Sequence, residues 1–186
     1  VRGEVIGTTA RTAEMCKLVE NSFRDVNIAF ANELSMVCDT LDINVWDVIE
    51  LANRHPRVDI LRPGPGVGGH CLAVDPWFIV AAAPEVTRLI RTGREVNLAK
   101  TQWVIGAVAQ AIAGTEDPVV ACLGLAYKPD IDDLRESPAL EVFEGLKSAL
   151  PHAEVLAVEP NLDLASERPL VSLEEALSRA NVIVGL

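Results

Sequence analysis

Cys71 ends a glycine-rich stretch, Gly66-Val67-Gly68-Gly69-His70-Cys71, and a carboxylate, Asp75, follows four residues later. A thiolate nucleophile needs access, a lowered pKa and room for a tetrahedral adduct, and a glycine turn beside a cationic group supplies all three. A lone cysteine is otherwise a small buried hydrophobe. Cys16, Cys38 and Cys122 fall inside apolar helix or strand patterns and read as such core residues. His70 adjoins the thiol, but neighbours on an extended chain point to opposite faces, which argues against His70 as its base. Lys17, Asn21 and Arg24 sit at i, i+4 and i+7 of a helical pattern, so they share one polar, cationic face. A solvated helix edge has the same pattern, although asparagine in mid-helix is better explained by its hydrogen bonds than by its propensity. A third cluster, Tyr127, Lys128, Asp130, Asp132, Asp133 and Arg135, follows an apolar run of strand length. Open α/β sheets bind ligands at the carboxyl ends of their strands, and a charged surface loop is the plain alternative.

These residues need elements to position them. Met15, Val19, Phe23, Val26, Phe30, Leu34, Val37 and Leu41 advance by threes and fours, which predicts one long helix, capped from Gly7-Thr8-Thr9 and ending near Asp39 to Asp42. Asn44 caps a short second helix to about Asn53. From Arg54 to Pro76 periodicity vanishes, and Pro63 to Cys71 holds four glycines and two prolines, a loop of specified shape. Helix resumes from about Pro84 to Ala113, with a break expected near Thr92-Gly93, and Gly114 to Pro118 reads as a boundary. Beyond it come an apolar strand from Val119 to Ala126, a helix opened by Ser137-Pro138, a strand from Glu154 to Val158, a helix with a Ser172/Glu175 capping box, and a strand within Asn181 to Leu186. That alternation predicts a parallel sheet with crossover helices. The fold class expected is thus an α-helical domain over residues 1–115 followed by a partial α/β domain over 116–186, whose few strands point to a truncated sheet.

Composition bounds the function. The net charge of −11 argues against a sequence-blind grip on nucleic acid or an anionic membrane. The longest apolar run, Trp77 to Ala83, is far too short to span a bilayer, and the reading is a soluble, cytoplasmic chain. Four scattered cysteines and three histidines encode neither a disulfide framework nor a metal site. Gly124-Leu125-Ala126 does not complete a dinucleotide fingerprint. The apolar stripe of the first helix exceeds what one small helical domain needs, and predicts a homodimer through residues 12–41.

Taken together, Lys17-Leu-Val-Glu-Asn21-Ser-Phe-Arg24, Gly66-Val-Gly-Gly-His-Cys71-Leu-Ala-Val-Asp75-Pro and Gly124-Leu-Ala-Tyr-Lys128-Pro-Asp-Ile-Asp-Asp-Leu-Arg135-Glu-Ser resemble the nucleotide-sugar 6-dehydrogenase family, which includes the UDP-glucose and GDP-mannose dehydrogenases. Asn53-Arg-His55-Pro-Arg57 with Pro63 to Cys71 is most similar to the branch acting on UDP-N-acetyl-D-mannosamine. The resemblance implies a dimerising helical domain, a C-terminal Rossmann-like domain for the UDP-sugar, and a preceding NAD-binding domain that no glycine-rich βαβ segment here supplies. It implies a four-electron oxidation of the C6 alcohol to a carboxylate, with NAD as cofactor and Cys71 forming a thiohemiacetal and then a thioester. Lys17 and Asn21 would steady the oxyanion, Lys17 would serve as acid or base once desolvated, and Asp75 would orient or deprotonate a water. Substrate contacts carried over are Arg24, His55, Arg57, Gly68, Tyr127 and Lys128 beside the catalytic Lys17 and Asn21, and Arg135 would reach NAD. Oxidation of UDP-glucose or GDP-mannose is the alternative within the class; a non-catalytic dimerisation and nucleotide-sugar-binding module is the alternative outside it.

Overall fold

In the computed structural model, residues 3–162 and 170–186 are described. The helical part comprises α1 (Ala10–Thr40), α2 (Val45–Ala52), α3 (Asp75–Ala82) and α4 (Arg88–Ala111). Thr9 caps α1, its hydroxyl accepting the Thr12 N–H at 3.2 Å, and Asn44 caps α2 by accepting the Trp46 N–H at 3.0 Å. Helix α3 lacks a readable period because its sequence, DPWFIVAA, is apolar on nearly every side.

One expectation fails. Helix α4 runs unbroken through Thr92-Gly93, and the interruption lies earlier, at residues 83–87. Gly93 marks an approach of helices: a Cβ there would lie 3.2 Å from Val26 Cγ2 and 3.7 Å from Ala29 Cβ of α1. The residue that reads as a breaker in sequence is what lets the two long helices come together.

The α1–α4 pairing is polar at its centre. Asp25 and Arg94, almost wholly buried, meet at 2.6 Å, and Asn97 Nδ2 donates to Asp25 Oδ1 at 2.9 Å. Asn32 Nδ2 donates to Asn97 Oδ1 at 2.9 Å. Burial pushes the Asp25 carboxyl above its ordinary value, against the pull of Arg94. The apolar stripe faces outward instead, with Met15, Val19, Phe23, Phe30 and Val37 all exposed and Phe23 at 69%.

The second part alternates β1 (Val119–Leu123), α5 (Pro138–Ala149), β2 (Glu154–Val158), α6 (Leu173–Arg179) and β3 (Val182–Gly185). The sheet is parallel in the order β2-β1-β3, with Cys122 opposite Ala157 on one side and Val184 on the other. Central β1 is covered on both faces, which explains its continuous apolar run. Val120 and Cys122 pack with Val142, Phe143 and Leu146 of α5, with Ile105 and Val108 of α4, and with Ile112 at the end of that helix. Ala121, Leu156, Val158 and Ala176 form the opposite face. Helix α4 therefore belongs to both parts, and Gly145 of α5 gives Ile105 the room to enter.

Ser137 and Ser172 cap α5 and α6 as their spacing predicts, although Glu175 turns to Arg179 rather than back to the cap. Cys38 and Cys122 are buried, and burial pushes the Cys122 thiol up to about 12. Cys16 is exposed, against its expected place in the core, on the side of α1 where Met15 and Val19 are exposed as well. Among the described residues no helix is long and apolar enough to cross a membrane, and no group of three potential metal ligands gathers.

Candidate active site

The loop from Pro63 to Gly69 is held from below by helix side chains. The Gly64 N–H donates to Asn32 Oδ1 at 2.8 Å, and Thr101 Oγ1 donates to the Pro65 carbonyl at 3.1 Å. Its far side is wedged against the segment that follows β1. A Cβ on Gly68 would fall 2.6 Å from both Tyr127 Cβ and the Glu136 carbonyl oxygen; Gly69, at φ +80°, meets the Tyr127 ring. Glycine is required at both positions by close approach, and at Gly69 by conformation as well.

This contact assembles a cleft of about 390 Å³ lined by Arg24, Gly68, His70, Cys71, Tyr127 and Lys128, among others. Residues from α1, the glycine loop and the segment after β1 thus line one cleft, which holds the exposed Cys71 together with two cations, Arg24 and Lys128. Four other clefts of comparable or larger volume lie at Lys100, beside Arg94, along Asn53 to Arg62 and at the start of α1; the last is lined by Cys16, but with Met15 and Val19 and without the glycine loop or Lys128.

Cys71 lies in a turn and not on an extended strand, so the alternation argument against His70 does not apply. Its Sγ comes within 4.0 Å of His70 Nδ1, the outer limit of a sulfur hydrogen bond. The Cys71 carbonyl accepts the Asp75 N–H at 2.8 Å, which sets Asp75 one turn away at the start of α3.

There Asp75 meets α1. Asn21 Nδ2 donates to Asp75 Oδ2 at 2.5 Å, and Lys17 Nζ approaches Asn21 Oδ1 at 3.4 Å, giving a chain Lys17–Asn21–Asp75. Asn21 is buried, whereas the Lys17 side chain is 64% exposed and also neighbours Glu20 at 3.5 Å. The desolvation expected of Lys17 is therefore not supplied by the described residues.

Two predicted contacts lie elsewhere. His55 and Arg57 occupy the exposed segment after α2, where His55 Nδ1 accepts the Arg57 N–H at 3.3 Å, and neither lines the cleft. Arg135 is gripped by Asp133 through Nε at 2.9 Å and Nη2 at 2.7 Å, which holds the Asp133 carboxyl down at about 2. The Asp133 carbonyl accepts the Tyr127 N–H at 3.3 Å, so this bend also steadies the cleft wall.

The supports of the loop, Asn32, Asn97 and Thr101, escaped the sequence reading. Their signal was a second, polar stripe: Asn21, Asp25 and Asn32 on α1, and Arg94, Asn97 and Thr101 on α4, each recurring at helical spacing.

Residues 11–99 match the central domain of the UDP-glucose/GDP-mannose dehydrogenase family, and residues 121–186 match that family's UDP binding domain. The chain is 59% identical over 188 residues to an NDP-N-acetyl-D-galactosaminuronic acid dehydrogenase of Ralstonia nicotianae, covering 99% of this chain and 44% of that protein. It is 57% identical over 199 residues to the UDP-N-acetyl-D-mannosamine dehydrogenase of Escherichia coli, covering 100% of this chain and 47% of that one. Among solved structures, a UDP-D-ManNAc dehydrogenase from Pyrococcus horikoshii superposes with a TM-score of 0.89 at 41% identity, over 100% of this chain and 44% of that one. The chain spans less than half the length of these relatives.

Proposed function

Because the chain belongs to the UDP-glucose/GDP-mannose dehydrogenase family, we propose that it supplies the thiol and the nucleotide-sugar contacts for NAD-dependent oxidation of UDP-N-acetyl-D-mannosamine to UDP-N-acetyl-D-mannosaminuronate. The observation that carries this reading is the exposed Cys71 in one cleft with Arg24 and Lys128, next to the chain Lys17–Asn21–Asp75. Residues 1–115 are the central helical domain of this reading and 116–186 the UDP-sugar domain.

The oxidation removes four electrons as two hydrides. Two equivalents of NAD, bound in turn, would supply the oxidising power, one hydride being lost from the C6 alcohol as its hydroxyl proton passes to a base and the second from the thiol adduct. The Cys71 sulfur attacks the C6 aldehyde, forming a C–S bond and an alkoxide that takes up a proton. Loss of hydride from that carbon, with the hydroxyl proton passing to a base, leaves a thioester. Water then attacks the carbonyl, the C–S bond breaks, and the thiol and a carboxylate are released. The oxyanion stages need donors placed in advance, a role that suits Lys17 Nζ and Asn21 Nδ2. Asp75 accepts hydrogen bonds and suits the orientation of the attacking water.

Arg24 and Lys128 suit the diphosphate, since charge-assisted bonds to phosphate oxygens are strong. Tyr127 and Gly68 form the wall against which the sugar nucleotide lies. The Arg135 fork spends one edge on Asp133 and keeps its other donors for an anionic group, which fits contact with the NAD diphosphate. His55 and Arg57 complete the substrate contacts only if a second copy presents them. The outward stripe Met15, Val19, Phe23, Phe30 and Val37 supports a homodimer through α1.

A second sugar is favoured by a specific observation, the 59% identity to a relative named for N-acetyl-D-galactosaminuronic acid. Steady-state NADH production by the full-length protein over a panel of UDP-sugars decides between them. Two NADH per UDP-N-acetyl-D-mannosamine, with complete oxidation lost in Cys71→Ser, is the expected result. Complete oxidation by Cys71→Ser removes the thiol from the mechanism, and turnover of the galactosamine sugar alone reassigns the substrate.

A further inference from the structure

The turn after β1 presents two consecutive backbone N–H groups, of Leu125 and Ala126, at the carboxyl end of a central parallel strand. In open α/β sheets this is where an anionic group of a ligand is received. Here the chain fills the place itself. Glu159, the residue after β2, is 5% exposed, and its Oε2 accepts the Leu125 N–H at 2.8 Å and the Ala126 N–H at 2.9 Å. Its Oε1 accepts the backbone N–H and the Nδ2 of Asn161, each at 3.1 Å. Four donors surround one carboxylate, and no lysine or arginine pairs with it among the described residues.

The same turn is held from its other side. The Leu125 carbonyl accepts the Ser137 hydroxyl at 2.6 Å, and the Gly124 N–H continues the ladder to the Val158 carbonyl at 2.9 Å. Glu159 and Ser137 therefore pin Leu125 through both its N–H and its C=O, which fixes the two successive peptide groups on either side of its Cα. Tyr127 and Lys128, the cleft wall, follow immediately.

We propose that Glu159 is a positioning residue for nucleotide recognition: its carboxylate occupies the amide pair where a phosphate would otherwise dock, fixes Tyr127 and Lys128, and directs the diphosphate to the Cys71 cleft. The proposal rests on the dehydrogenase reading for the identity of the nucleotide. It accounts for why a sheet with this topology lacks a glycine fingerprint after β1: the internal carboxylate takes the role of the ligand anion, so the turn has no need to open for one.

The test is titration calorimetry of UDP against the full-length protein, with NADH kinetics alongside. Glu159→Gln keeps the volume but places an NH2 group against N–H donors. It should weaken UDP about tenfold and raise KM for the sugar nucleotide similarly, while kcat stays within about threefold. Asn161→Ala removes one outer donor and should weaken UDP by about two- to threefold, which keeps the proposal testable if the first variant fails to fold. In Glu159→Ala, added formate should restore UDP affinity where chloride does not. UDP affinity unchanged in folded Glu159→Gln, or lowered kcat with unchanged KM, overturns the role of Glu159 while the dehydrogenase reading stands. A wild-type protein that binds no UDP overturns both.

Discussion

Asn21 and Asp75, 54 residues apart, are joined by a hydrogen bond from Asn21 Nδ2 to Asp75 Oδ2, and this one contact ties the long helix α1 to the first turn of α3. Because Asp75 also donates its N–H to the Cys71 carbonyl, the amide of Asn21 fixes a carboxylate at a set distance along the chain from the thiol. The carboxylate is acceptor-only when ionised, so the asparagine must present its NH2 to Asp75 and its carbonyl to Lys17, which is the orientation observed.

If Asp75 orients the hydrolytic water, Asp75→Asn stalls at the thioester. Rapid mixing of the full-length protein should then show a burst of two NADH per site followed by a steady rate lowered by about 10²–10³. A burst of none places Asp75 in the alcohol oxidation instead.

The buried Asp25–Arg94 pair makes a stability prediction. Removing the cation alone in Arg94→Met leaves a carboxylate without compensation in the α1–α4 interface and should cost about 3–5 kcal/mol in denaturant unfolding. The double variant Asp25→Leu/Arg94→Met should recover most of that loss.

Lys100 gives a pH dependence. It is buried, donates to Ser35 Oγ at 2.7 Å and sits 3.7 Å from the centroid of the Trp103 ring; burial lowers its pKa to about 8, against an opposing pull from Asp39. In the unfolded chain the group keeps its ordinary value near 10.5. Between these values the unfolded state binds more protons than the native one, so stability rises with pH across that window. Chemical denaturation from pH 7 to 10 should show a gain on the order of 1–2 kcal/mol that Lys100→Met abolishes.

The outward stripe of α1 predicts self-association. Phe23→Glu combined with Phe30→Glu should shift the sedimenting species from dimer to monomer at micromolar concentration, with the helical circular dichroism signal retained. A wild-type protein that is monomeric under those conditions removes the dimer from the reading.

Much of the scaffold was legible because its signals are local. Thr9, Asn44, Ser137 and Ser172 each satisfy a helix-start N–H, and the strand β1 announces itself by burial on both faces. Gly93 misled because a glycine in a helix has two causes, a break or a close neighbour, and only the tertiary partner Val26 tells them apart. Within the candidate site, Arg24, Gly68, Cys71, Tyr127 and Lys128, singled out by their motifs, line one cleft. The polar supports Asn32, Asn97 and Thr101 were missed because a polar stripe on an amphipathic helix reads as its solvent face, whereas here apolar and polar faces exchange places. Glu159 was missed because its partners are backbone amides 33 and 34 residues away, which no side-chain pattern records.

The sharing of α4 between the two parts has a mechanical consequence. Ile105 and Val108 are embedded in the core of the sheet while Arg94 and Asn97, on the same helix, are embedded against α1. Packed at both ends, α4 bridges the boundary that the punctuation of Gly114 to Pro118 suggests in the sequence. Thr101, between those two anchor points on α4, donates to the Pro65 carbonyl, so the loop that leads to the thiol is tied to an element that the bundle and the sheet share.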